Sequence, residues 1–212
     1  MKGIFISIEG ADGSGKTTQI QMLKQHFEKK GYDVIVTREP GGTKISEEIR
    51  SIILDEKHTN MSYITEMLLY AAARAQLVEQ VIAPAKREGK IIISDRFIDS
   101  SAVYQGIARG LGTKMVYDVN HYAIAACEPD ITFLLDIDAM EGISRKKNQK
   151  NLDRMEQETM EFHQMVADGY RILAREHRER IHVIDASWTI EKIQEEILTK
   201  LQQIMAESKT KQ

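Results

Sequence analysis

A single cysteine, Cys127, occurs in the 212 residues, so no internal disulfide can form and a disulfide-stapled secreted fold is excluded. The six histidines are scattered without metal-ligand spacing, and no structural zinc site follows from them. No stretch approaches the roughly 20 apolar residues that a membrane span requires. The first apolar run ends at Glu9, too early for the apolar region of a signal peptide. These absences predict a protein of the reducing cytoplasm without a membrane partner. Charge of one sign is also lacking: 29 basic residues face 32 acidic ones, so no global field favours nucleic acid. Any polyanion site must be local. Only three prolines occur, Pro40, Pro84 and Pro129, and no linker, repeat or low-complexity tract divides the chain. With 42% hydrophobic residues, one well-filled domain over 1–206 is expected, followed by a polar tail at 207–212.

What is present are apolar, β-rich runs at 3–9, 33–39, 90–96 and 130–138, with a fifth at 180–186. Their apolar residues are continuous rather than alternating, as expected of strands covered on both faces. Helical patterning fills the gaps, over 16–30 and about 44–54, 63–88, 113–126, 155–179 and 190–205. Strands followed in turn by helices predict a doubly wound α/β fold.

Between the first run and the first helical pattern lies GADGSGKTT: Gly10, Ala11, Asp12, Gly13, Ser14, Gly15, Lys16, Thr17 and Thr18. It satisfies G-x-x-x-x-G-K-S/T in the strand–loop–helix context that gives the motif meaning. The glycines let backbone N–H groups converge on a phosphate, Lys16 spans the phosphates, and the Thr17 hydroxyl can ligate Mg²⁺. ATP or GTP binding is expected. The loop nevertheless carries a carboxylate, Asp12, whose charge near a phosphate requires a compensating arginine.

No N-K-x-D base-reading motif of a GTPase is present, and the third strand ends with Arg96 directly after Asp95. A cation beside a magnesium-site acid suits a second phosphate, as in a phosphoryl-acceptor site. A nucleotide-binding switch remains the alternative from another class. TREPGGT (37–43) sets Arg38 and Glu39 at the carboxyl edge of the sheet, where ligands bind in open α/β folds. Arg50 is either a clamp or a solvated helix residue. DRFIDSSAVYQG (95–106) crowds Arg96, Ser101, Tyr104 and Gln105 into one segment, and the Gln amide suits a pyrimidine edge. Tyr70 and Arg74 lie one helical turn apart among alanines, leaving room for a flat base.

In this order, GADGSGKTT, TREPGGT, YAAARAQ and DRFIDSSAVYQG resemble the bacterial thymidylate kinases, from about residue 4 to about residue 186. The resemblance implies a P-loop kinase with a five-stranded parallel sheet and a short mobile lid at about 142–154. It implies a homodimer that uses ATP, Mg²⁺ and dTMP. It places Arg50 and Arg96 on the dTMP phosphate, bordered by Arg38 and Glu39. Thr17 and Asp95 fall at the magnesium site, directly or through water. Tyr70, where the family usually has Phe, would stack on thymine, with Arg74 and Gln105 at the base edge and Tyr104 under the sugar. Asp12 would turn toward the acceptor's 3′-hydroxyl. The loop carries no arginine, and the resemblance implies that such a chain takes a catalytic cation from the lid, here the set Arg145, Lys146, Lys147, Lys150 and Arg154, with Arg145 and Lys147 as first choices.

Overall fold

The five apolar runs form one parallel sheet: β1 (Ile4–Glu9), β2 (Val34–Arg38), β3 (Ile91–Asp95), β4 (Ile131–Asp136) and β5 (Ile181–Asp185), in the order β2-β3-β1-β4-β5. The structure is a computed structural model and describes residues 3–125, 127–146 and 152–210. Strand β1 lies at the centre, with Ser7 paired to both Ser94 and Thr132. The inner strands β3, β1 and β4 are almost wholly buried, which explains their continuous apolar character. The edge strands β2 and β5 are partly exposed.

Successive residues of a strand point to opposite faces, and the core divides accordingly. Ile6 and Ile8 pack with Leu23 and Phe27 of α1 (Lys16–Lys29) and Ile197 of α9 (Ile190–Thr210). Phe5 and Ile92 face the other way, onto Leu77 of α3 (Tyr63–Leu77), Ala85 of α4 (Ala83–Arg87) and Val116 of α6 (Thr113–Ile124). Each fully buried side chain of this size contributes about 1.5–3 kcal/mol. A third cluster joins Tyr104 to Phe162, Tyr170 and Leu173 of α8 (Met160–Glu176), beside the site described below. Helix α2 (Lys44–Leu54) begins where the Thr43 side chain accepts from Ser46 N, and α3 where Ser62 accepts from Thr65 N.

Several helix boundaries differ from the sequence-based expectation. The pattern at 63–88 is not one helix: a wide π-turn at Val78–Ile82 separates α3 from α4. Pro84 follows that turn; it lacks an N–H to continue the α-helical ladder and is at home in a first helical turn. Helix α8 starts only at Met160, capped by Thr159, and α6 closes at a left-handed Ala125. Helix α9 runs to Thr210 instead of ending near 205, because Ala206, Glu207 and Lys209 are good helix formers, the last two although polar. Two helical segments were not expected. One is α5 (Ile98–Ser101), which continues into a π-turn at Ala102–Ala108; buried on nearly every side, it shows no amphipathic stripe. The other is α7 (Ala139–Lys146), eight residues long. Among the described residues no helix is long and apolar enough to cross a membrane.

Candidate active site

The carboxyl ends of β1 and β3 feed the site. After β1 the chain turns through Gly10, at φ 140°, where a Cβ would lie 2.5 Å from the Leu135 carbonyl oxygen. The loop ends at Gly15, left-handed at φ 90° and N-cap of α1. Lys16 folds back over this loop, its Nζ donating to the carbonyls of Gly10 and Ala11 at 3.0 Å each. Burial, then the charge of Arg96, lowers the Lys16 ammonium to about 8. The loop also touches α7: a Cβ on Gly13 would lie 2.1 Å from the Gly142 carbonyl oxygen, so the two backbones meet without intervening side chains.

Arg96 follows β3 in the left-handed region at φ 70°, a conformation that costs a non-glycine residue roughly 1 kcal/mol or more. Its N–H is bonded to the Ile8 carbonyl at 3.0 Å. This turn aims the guanidinium across the sheet edge, where Nη2 donates to Asp12 Oδ1 at 2.9 Å and Nη1 to the Tyr170 hydroxyl at 3.1 Å. The guanidinium also lies 5.2 Å from the centroid of the Tyr104 ring. Asp12 therefore has the arginine partner that its charge requires, and that partner comes from the end of the neighbouring strand β3.

Beneath Arg96 sits Glu9, the last residue of β1 and 1% exposed. It accepts from Phe97 N and Ser100 Oγ at 2.6 Å each, Ser7 Oγ at 2.9 Å and Tyr170 OH at 3.1 Å. Burial, reinforced by the charge of Asp99, pushes the Glu9 carboxyl up to about 7. Asp99 itself is held bidentately by Arg180, at 2.6 and 2.8 Å. Ser100 and Tyr170 touch both Glu9 and Arg96, so one hydrogen-bonded frame supports the arginine.

The opposite wall comes from β2 and α3. Arg38 is exposed and pairs with Glu47 at 2.8 Å, while Arg50 donates to the Pro40 carbonyl at 2.8 Å. Arg74, only 1% exposed, donates to Glu39 through Nε and Nη2, to Asn120 through Nη1 and to Ser101 through Nη2. It is a clamped floor residue and not a freely reaching one. Burial raises the Glu39 carboxyl despite Arg74, and its Oε1 has no hydrogen-bond partner among the described residues. Tyr70 and Tyr104 both have phenols raised by burial.

A single cleft of about 440 Å³ joins these walls. Asp12, Gly13, Gly15, Lys16, Thr17 and Thr18 line one end. Arg38, Glu39, Arg50, Tyr70, Arg74, Asp95, Arg96, Ser101, Tyr104, Gln105 and Arg145 complete its lining. Gly10, Ala11 and Ser14 of the same loop are not part of the lining, and the carbonyls of the first two hold Lys16. The lid set is divided. Arg145 lies at the rim, paired with Glu141 at 2.6 Å and reaching the Ala186 carbonyl at 3.3 Å. Arg154 turns inward to the Ile53 carbonyl at 2.8 Å and to Glu66 at 2.6 Å. Lys147 and Lys150 lie outside the described residues, as does the side chain of Lys146.

Sequence reasoning passed over several members of the site. Glu9 was legible as an acid closing a β-rich run; Tyr170 lies 161 positions away and gave no signal. Leu54, Asp153, Met155 and Glu156 also line the cleft, brought in by the segment before α8. Thr17 and Asp95 supply hard oxygen donors in the same cleft, which suits Mg²⁺, an ion that takes few protein ligands and completes its shell with phosphate and water. Among the described residues no cluster of three or more His, Cys, Asp or Glu could hold a metal alone.

A P-loop with an arginine beside it, in a cleft at the carboxyl edge of a parallel sheet, is the arrangement of a P-loop kinase, and the added cation suits an acceptor that is itself phosphorylated. Comparison with known proteins specifies it. Residues 8–197 match the family model described as thymidylate kinase. A thymidylate kinase of Thermoanaerobacter sp. (strain X514) is 49% identical over 198 residues, 93% of this chain and 97% of that protein. One from Caldanaerobacter subterraneus subsp. tengcongensis is 51% identical over 185 residues, covering 87% and 88%. The crystal structure of thymidylate kinase from Ehrlichia chaffeensis superposes with a TM-score of 0.75 at 33% identity, over 95% of this chain and 99% of that one. The chain belongs to the thymidylate kinase family, enzymes of the nucleoside monophosphate kinase class.

Proposed function

We propose that the protein transfers the γ-phosphoryl group of ATP to dTMP, giving dTDP and ADP for dTTP synthesis. The observation that carries this reading is the Asp12–Arg96 pair, which sets an arginine beside the phosphate loop in one cleft. A dTMP phosphate oxygen forms a bond to the γ-phosphorus as the bond to the ADP oxygen breaks in line. The acceptor oxygen is already anionic, so no general base is needed, and positioning with charge stabilisation supplies the rate.

In this reading residues 10–18 cradle the ATP phosphates and Lys16 follows the migrating group. Arg96 and Arg50 grip the dTMP phosphate, with Arg38 and Glu39 beside it. Tyr70 stacks on the base, Arg74, Ser101 and Gln105 border its edge, and Tyr104 lies under the sugar. Asp12 faces the 3′-hydroxyl, and Arg145 or Lys147 adds positive charge from the lid. Thr17 and Asp95 would hold Mg²⁺, which supplies neutralisation of phosphate charge when bound. The enzyme acts in the cytoplasm as a homodimer. Exposed Ile64 and Leu68 on α3 and Met115 and Tyr122 on α6 are apolar surface that such an interface would cover. Sedimentation showing only a 24.2 kDa species at micromolar concentration would reject the dimer.

The decisive experiment measures ADP release with ATP and Mg²⁺ against dTMP, dUMP, dCMP, UMP and thymidine. Strong stimulation by dTMP, weaker by dUMP and little by the rest is the expected result. ADP release indifferent to every acceptor would instead indicate a nucleotide-binding switch.

A further inference from the structure

Glu66, on α3 one turn before Tyr70, is fully buried, yet it touches neither the phosphate loop nor the clamp arginines. Its Oε1 accepts from Gln105 Nε2 at 2.9 Å and from Arg109 Nε at 3.3 Å. Its Oε2 accepts from Arg109 Nη2 at 3.3 Å and from Arg154 Nη2 at 2.6 Å. Burial opposes charge on this carboxyl, but the bonds from Gln105 and the two arginines outweigh it and hold the group below the ordinary carboxylate range. It is therefore a carboxylate, which can only accept.

A glutamine amide presents an oxygen on one side and a nitrogen on the other, and either can face a ligand unless a neighbour decides. Here the neighbour is an obligate acceptor, so the Gln105 nitrogen must turn to Glu66. The carbonyl oxygen is thereby offered to the cleft that Gln105 lines. An outward carbonyl accepts from the N3–H of thymine or uracil and opposes the bare N3 of cytosine. We propose that Glu66 is a positioning residue that fixes the polarity of the Gln105 amide, and with it the preference for bases that donate at N3. This rests on the dTMP-kinase reading above. Arg109 and Arg154 act through Glu66: by keeping it charged they keep it an acceptor. Arg109 is itself locked, stacked 4.5 Å from the Phe162 ring centroid and paired with Glu158.

The test is Glu66→Gln, read as the ratio of kcat/KM for dTMP to that for dCMP. The new amide can keep its oxygen toward Arg154 and Arg109 Nη2 and turn its NH₂ to Gln105, giving up the 3.3 Å bond from Arg109 Nε, and Gln105 then reverses and offers its own NH₂ to the cleft. The expected result is a fall of about tenfold or more in the ratio, carried mainly by KM, as one hydrogen-bonding position changes sign. Glu66→Asp keeps an acceptor-only group and is expected to hold the ratio within about threefold of the parent, even where both rates fall. Equal losses for both acceptors in Glu66→Gln, leaving the ratio unchanged, would overturn the inference and reduce Glu66 to a packing role. If circular dichroism shows Glu66→Gln unfolded, Glu66→Asp decides: a folded variant that has lost discrimination overturns the proposal, and one that retains it supports it. A parent protein that does not phosphorylate dTMP overturns the kinase reading itself, an outcome distinct from an active parent whose variants keep their ratio.

Discussion

Arg96→Ala is expected to lower kcat/KM for dTMP by about a thousandfold while ATP affinity changes little. The loss has two sources. In the proposed reading the guanidinium grips the acceptor phosphate; Ser100 and Tyr170, themselves bonded to Glu9, hold it in place. Its removal also leaves Asp12 without its 2.9 Å ion partner at the edge of a phosphate loop, so the carboxylate then repels the acceptor. Arg96→Lys is expected to recover only a small part of the activity, because a point charge cannot bond Asp12, Tyr170 and a phosphate from one planar fork. Steady-state kinetics with dTMP, alongside calorimetric titration of an ATP analogue, separates the two effects. Equal weakening of nucleotide and acceptor would show that Arg96 mainly shapes the loop.

Lys16→Met is expected to reduce kcat by about a thousandfold, the scale on which a preorganised charge at a developing anion acts. Ligand-free stability should move differently. Burial lowers the folded-state ammonium to about 8 from an ordinary 10.5, so between these values the unfolded chain binds more protons than the folded one. Stability of the parent protein therefore rises with pH across that window, and below it the protein carries the full cost of a buried ammonium. In Lys16→Met this rise disappears, and near pH 7 the variant is expected to melt no lower than the parent. Thermal melts between pH 7 and 10.5 check the sign. A variant that melts well below the parent at every pH would mean that the bonds to Gly10 and Ala11 outweigh desolvation.

What was readable in the sequence was local. The phosphate loop is written in consecutive residues, and the strands are written as apolar runs because both faces of the sheet are covered. The helix 98–108 was not readable as a helix: residues such as Ala102, Val103, Tyr104 and Gln105 are buried together, which erases the amphipathic period. The frame around Arg96 was hidden for a different reason. Glu9, Ser100 and Tyr170 come from β1, α5 and α8, and only the folded chain brings them into one hydrogen-bonded group. Arg74 stands out in the sequence only by its spacing from Tyr70; its tight clamping by Glu39, Asn120 and Ser101 depends on contacts that no spacing encodes. Arg154 and Arg145 looked alike in a basic run, yet one is turned into the protein and the other holds the rim.

The ion pair between Asp12 and Arg96 joins positions 84 residues apart in the chain. Substitutions at the two positions are therefore expected to couple rather than add. Changing either one alone removes a charge-assisted bond for which the other side chain is already oriented, so the paired change is expected to cost less than the sum of the two single changes.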